Sequence, residues 1–524
     1  MKKRNVITAL AATAMMLQII GVGPALAVDP EVKFTFTPIS GLAGTKVDFR
    51  GTGCPHDAAR TSDGVFLLTA DGRSGQPVGF VSVADGTFSG QYDTAGLSPG
   101  AYTTLVSCLT TNVSGVGEPF TVAVPPPPPA PPVPPAPVGS TYSAIAPVRV
   151  LDTRDGTGAG GVVKAVGPDG VVELKVTGVA GVPTSGVTAV ALNVTATNAS
   201  ANSHLKVWPT GSPQPDASNL NFSSGATIPN LVIARVGTDG KVSLRNNGGT
   251  VDVIADVQGW YSDTGTAGSR YVPVNPQRIL DTRDGTGVNS ATQVGPSGTI
   301  ELGVTGVAGV PQDATAVVLN MTVDQATGPE SYITVWPSGT AMPTASNLNF
   351  TEGPASTNLV IARVGASGKV AVYNHMGSPD VIADVQGWFA APASTVGSAY
   401  FPTNPARILD SRTGTGTPGG AIGQLGTDGT IDITVVGAGG VPSSGVSAVV
   451  LNVTVTDSPG PDSYITLFPA GTARPVASNL NYSAGETVPN LVIVRVNDGK
   501  VSMFNHVGST NVIADVQGWF GPGS

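Results

Sequence analysis

Charge and reactive side chains are scarce in this chain. Only 12% of its 524 residues are charged, 6% are aromatic, two are cysteine and four are histidine. Twenty-six basic against 35 acidic residues give a net charge of −9. A negative chain gains nothing electrostatically from nucleic acid or anionic lipid, so neither is expected as a partner. Cys54 and Cys108 form no CxxC pair, which removes the usual redox and zinc patterns. There is no G-x-S-x-G, H-E-x-x-H or P-loop signature, and His204 has no counterpart elsewhere in the chain. After the first twenty residues, no apolar run is long enough to span a bilayer. No amphipathic helix of useful length is found.

What is present points to export and to β-structure. The chain opens with MKKR, runs apolar from Val6 to Ile20, and reaches Ala25-Leu26-Ala27 in a small-x-small pattern. This predicts a secretory leader over residues 1–27 and, after its removal, a secreted or non-covalently surface-held protein without membrane insertion. In that compartment Cys54 and Cys108 are expected to pair, closing a loop worth about 4 kcal/mol in the chain-entropy model. Abundant Gly, Val, Thr and Pro fit an all-β chain.

Residues 28–124 alternate short apolar-polar runs with Gly, Pro, Asp and Ser turns, which predicts an Ig-like sandwich. Residues 125–138 are a proline-rich linker. Ten prolines in PPPPPAPPVPPAP predict a polyproline spacer of roughly 40 Å. From there the chain repeats itself three times, over 139–262, 263–390 and 391–524. Arg149, Arg278 and Arg407 stand 129 residues apart in turn, and VIADVQGW recurs unchanged at 253–260, 381–388 and 512–519. Such a period marks tandem modules. Each copy holds about eight Val/Ile/Thr-rich strands and is long enough to bury its own core. Three jelly-roll-like β-sandwiches, arranged as separate beads, are therefore expected.

Strand side chains alternate between faces. By that rule each strand has one apolar face and a second face marked by recurring polar residues. In the first repeat these are Asp152, Arg154, Asn219, Asn221, Asp256 and Gln258, with Trp260 predicted on the same face. The second repeat offers Asp281, Arg283, Asn347, Asn349, Asp384, Gln386 and Trp388. The third offers Asp410, Arg412, Asn479, Asn481, Asp515, Gln517 and Trp519. Two expectations follow. The set pairs internally as a structural clasp, or it lines a shallow saccharide site, planar polar groups serving sugar hydroxyls and Trp serving the C–H face. Trp208, Trp336 and Phe468, each before a proline turn, are further platform candidates. A calcium loop in LDTRDGTG is disfavoured because an arginine sits inside it and Thr413 replaces Asp155 and Asp284. Zinc is disfavoured because Asn247 stands where the other copies have His375 and His506. No cofactor or metal is expected. Three copies of one active site in a chain would be unusual, so a non-enzyme is expected, although an acidic pair of glycosidase type is a remaining alternative.

The motifs RVLDTR, GVP, ALNVT, WPTG, ASNLNF, NLVIARV and VIADVQGW resemble a repeat module of secreted actinobacterial proteins. PISGLAGTKVDFRGTGC resembles a bacterial Ig-like domain. The resemblance implies attachment to cell wall or polysaccharide beside degrading enzymes, and here, with no such enzyme in the chain, a multivalent binding role. A purely structural or self-associating surface protein is the alternative.

Overall fold

The computed structural model describes residues 32–57, 64–70, 73–74, 78–80, 85–95, 97–109, 113–123, 139–263, 268–392 and 394–523. The expected leader and proline-rich segment lie outside these. The chain divides into two compact units, 1–135 and 136–524.

The first unit is a two-sheet sandwich. One sheet pairs Lys33–Thr37, Lys46–Thr52 and Phe88–Asp93 in that order. The other centres on Gly100–Cys108, with Gly64–Ala70 and Phe120–Val122 beside it. Alternation does the sorting: Val47 and Phe49 go inward while Lys46, Asp48 and Arg50 stay out. Phe36, Tyr92, Tyr102 and Phe120 complete the core around the Cys54–Cys108 disulfide, which is fully buried.

In the second unit each repeat forms two four-stranded antiparallel sheets. In the first repeat the eight strands are Thr141–Asp152, Val171–Lys175, Val187–Thr197, Ser203–Pro209, Leu220–Phe222, Ile228–Arg235, Lys241–Asn246 and Asp252–Ser262. Strands one, eight, three and six make one sheet, and two, seven, four and five the other. This is jelly-roll order, repeated in the second and third copies. Leu151, Leu192, Leu205, Leu220, Leu244 and Ala255 fill the space between the two sheets.

The three repeats are not separate beads. The third strand, VTAVALNVTAT, is buried on both faces. Val190, Leu192 and Val194 enter the repeat's own core, whereas Ala189 and Ala191 enter a fourth core built from all three copies. Leu231 and Ile233, Leu359 and Ile361, Leu491 and Ile493 meet there. One end of this core is a closed circuit of six rings. Tyr142 packs on Phe389 at 4.5 Å, Tyr271 on Phe520 at 4.5 Å and Tyr400 on Tyr261 at 4.3 Å, each pair joining two repeats. The bead expectation fails for a physical reason. A β-sheet whose second face is also apolar must bury that face, and three copies in one chain do it against one another.

Candidate functional site

The recurring polar residues occupy two places, both built into the fold. The first is a carboxylate–guanidinium clasp where the first strand ends. Asp152 accepts Arg154 through Nε at 2.9 Å and the backbone N–H at 3.0 Å on one oxygen. On the other it accepts Arg154 Nη2 at 2.7 Å and Arg149 Nη1 at 3.1 Å. Its acceptor sites are filled. Arg149 uses its remaining fork on Asp256, at 3.0 and 3.4 Å. Two acids and two bases cancel, and both carboxylates are almost fully buried, Asp152 at 2% and Asp256 at 1% exposure. The Arg154 hydrogen bonds hold the Asp152 carboxyl below the usual carboxylate range, as Arg412 does for Asp410. Burial pushes Asp256 the other way, against the pull of Arg149. Arg278 with Asp281, Arg283 and Asp384, and Arg407 with Asp410, Arg412 and Asp515, repeat the arrangement.

The neighbouring letters of the motif have local duties. Thr153 donates to Asp252 at 2.9 Å and accepts the Val253 N–H at 3.0 Å. Ser411 does the same between Asn511 and Val512, so Thr or Ser serves equally. Asp155 bonds the Thr157 N–H and hydroxyl within the turn, and Thr413 keeps the matching hydroxyl contact with Thr415, so it can stand in its place. Gly158 holds φ +67° with a carbonyl 1.9 Å from where a Cβ would lie, closing the turn against the strand.

The second place is a ring between repeats. Asn193 donates to the Ser346 carbonyl at 2.7 Å and accepts Asn358 Nδ2 at 2.8 Å. Asn320 does so with Ser478 and Asn490, and Asn452 with Ser218 and Asn230, so the ring closes on the first repeat. The sixth strand of each copy is a sheet edge whose N–H groups would otherwise be unpaired. Leu231 N–H donates to Asn358, Leu359 to Asn490 and Leu491 to Asn230. Gln258 adds the Ile361 N–H at 3.2 Å. Asn219, Asn347 and Asn479 accept the backbone N–H groups of Val207, Val335 and Leu467, continuing the sheet through their side chains. Asn221 and Asn349 accept from Ser218 and Ser346, and Asn481 donates to Thr357 of the preceding repeat.

The tryptophans are not beside the acids. Between the third and eighth strands the register steps from Ala191↔Gly259 to Leu192↔Val257, so Gln258 is an extra residue in a bulge. Beyond it the faces exchange. Trp260 therefore packs, partly buried, against the sandwich core of Val253, Ala255 and Val257, and Trp388 and Trp519 are buried in theirs. The Gln258 carbonyl, released from the ladder, accepts Tyr142 Oη at 3.1 Å. Gly259 is required because a Cβ there would lie 2.3 Å from that oxygen. Gln386–Gly387 with Tyr271 and Gln517–Gly518 with Tyr400 match it. V-Q-G-W is thus one device: a bulge, a gap for a tyrosine, and a core tryptophan. Trp208, Trp336 and Phe468 are buried as well.

The expected set left out Arg149, Arg278 and Arg407, the two ring asparagines of each copy, and Tyr142, Tyr271 and Tyr400. The arginines and tyrosines recur 129 residues apart, the asparagines recur within the LN-x-T and NLVI motifs, and alternation also put Asn193 on the second face of its strand. Among the described residues no group of three or more His, Cys, Asp or Glu is placed to hold a metal.

No protein-family model and no curated protein matches the chain. It is similar to a chain from the atomic structure of Sulfolobus Turreted Icosahedral Virus, at 9% identity over 73% of this chain and 92% of that one, TM-score 0.17. It is also similar to a chain of the triple jelly roll fold and turret assembly in an archaeal virus, at 8% over 74% and 92%, TM-score 0.15. A third is SGBP-B from a complex xyloglucan utilization locus in Bacteroides uniformis, at 11% over 70% and 100%, TM-score 0.13. The jelly-roll assignment rests on the strand pairing itself.

Proposed function

We propose that this chain is an exported, non-catalytic structural protein of the cell surface or medium, whose three repeats act as one body. The observation that carries this reading is the closed asparagine ring with its three clasps. The clasp Asp and Arg and the ring Asn side chains of every copy spend their hydrogen bonds on one another and on backbone, as parts of a fastening do. A chain in which repeats are locked around a common core holds a fixed geometry for whatever it displays. Attachment to polysaccharide stays within the proposal as the use of such a body, carried by other surfaces than the Asp/Arg/Asn set.

Fractionation of cells producing a tagged chain tests the export half. The product is expected in the envelope or medium with an N-terminus at Val28. Retention in the cytoplasm with residues 1–27 intact would refute it. A screen of the purified protein against cell-wall and polysaccharide substrates tests the other half, and reproducible turnover would overturn it.

A further inference from the structure

The outward side of the second sheet differs between copies in a way the fold does not demand. In the second repeat Tyr332, on the fourth strand, stacks on His375 at 4.7 Å and 17° between planes. In the third repeat Tyr464 stacks on His506 at 4.7 Å and 22°. These tyrosines lie opposite Ile333 and Ile465, which enter the sandwich cores. All four rings are partly exposed. Positions are equivalent in all three copies: His375 N–H donates to Tyr332 O, His506 to Tyr464 O, and Asn247 to His204 O. The first repeat thus has His204 and Asn247 where the others have a stacked pair, with the same strand pairing around them. Because the first repeat folds identically without it, the pair is not needed for the core.

A second aromatic flanks each pair. Tyr373 Oη lies 3.4 Å from His375 Nδ1, and Phe504 takes the matching place in the third repeat, its ring 3.7 Å beneath the exposed Arg474 guanidinium. Each patch therefore combines part-exposed ring surface with phenol and imidazole groups at its margin.

We propose that these two patches are equivalent subsites for an uncharged saccharide ring. A pyranose has an apolar C–H face that packs on aromatic surface, and equatorial hydroxyls that bond to planar polar groups. The net charge of −9 disfavours polyanionic glycans and leaves neutral ones. Two weak subsites in one rigid chain gain apparent affinity on a polymer that spans both.

The test uses the full mature chain. Chitohexaose, cellohexaose, xylohexaose and mannohexaose are titrated by calorimetry and by saturation-transfer NMR. At least one is expected to bind at two sites per chain. Tyr332→Ala or Tyr464→Ala should remove one site. The double variant should weaken binding by about tenfold or more with its melting temperature little changed. Tyr332→Phe should retain the site. His204→Tyr and Asn247→His in the first repeat, with Arg245→Tyr to supply the flanking ring, should raise the stoichiometry from two to three. Failure of all four sugars to bind would overturn the proposal, as would binding that survives the folded double alanine variant. Either failure leaves the structural role above untouched, because that role uses neither patch.

Discussion

Replacing Arg149 by methionine separates a fastening from a ligand site most sharply. The change removes three charge-assisted hydrogen bonds, two to Asp256 and one to Asp152. Asp152 keeps Arg154, but Asp256 is left 1% exposed with no other arginine bonded to it. Stranding one member of a buried pair costs about 3–5 kcal/mol. All five tryptophans lie in the repeat unit, so tryptophan fluorescence reports its unfolding without interference from the Ig-like head. If the roughly 390 residues of that unit melt together, the unfolding entropy is about 0.8 kcal/mol/K, and a 4 kcal/mol loss lowers Tm by about 5 °C in one transition. If the copies melted independently, the same loss on a repeat of about 125 residues would lower its transition by about 15 °C and split the curve. Adding Asp256→Asn to Arg149→Met should recover part of the stability by removing the stranded charge. A loss below about 1 kcal/mol would refute the clasp, a split transition would refute the shared core, and no recovery in the double variant would refute the stranded-charge argument.

Tyr261→Phe should stabilise the unit by about 1 kcal/mol, because the Tyr261 hydroxyl is buried without a partner and the equivalent residues are Phe389 and Phe520; a fall in Tm would contradict this. Gly259→Ala should destabilise by about 3 kcal/mol by driving a Cβ against Tyr142, and Tyr142→Ala in the same chain should relieve part of that strain, both read by urea unfolding. Asp152→Asn should cost about 2 kcal/mol or more at pH 7. The folded Asp152 carboxyl titrates below its unfolded value, so its stabilisation is present above about pH 4 and is lost as pH falls further. Asp256, raised by burial, has the opposite sign and favours the fold at low pH. The stability gap between wild type and Asp152→Asn should therefore narrow between about pH 4 and pH 2, and a gap that stays constant would show that Asp152 is not the carboxylate being held.

Much of the local structure was legible in the residues. The eight strands follow from apolar-polar alternation between Gly, Pro and Asn turns, and the two-sheet jelly roll follows from eight antiparallel strands with apolar faces to bury. The pairing of Asp152 with Arg154 was readable as a same-face neighbour. The position of Trp260 was not. Strict alternation carries Asp256, Gln258 and Trp260 to one side, and the bulge that reverses this exists only because the partner strand skips Gln258. Arg149 was visible only as a residue that kept its spacing, since its two carboxylates lie three and 107 positions away and only folding unites them.

The sequence by itself determined the strands, their apolar faces, the threefold repetition and the cysteine pair, because each depends on neighbours along the chain or on cysteines confined to one unit. Only the tertiary structure decided what the second face of the first sheet meets. Alternation shows that Ala189, Ala191 and Asn193 point away from the repeat's own core, and it is silent on whether water, a ligand or another repeat lies there. The answer is the other two repeats, because the edge strands and apolar faces of all three copies are satisfied together when the ring closes from Asn452 back to Asn230.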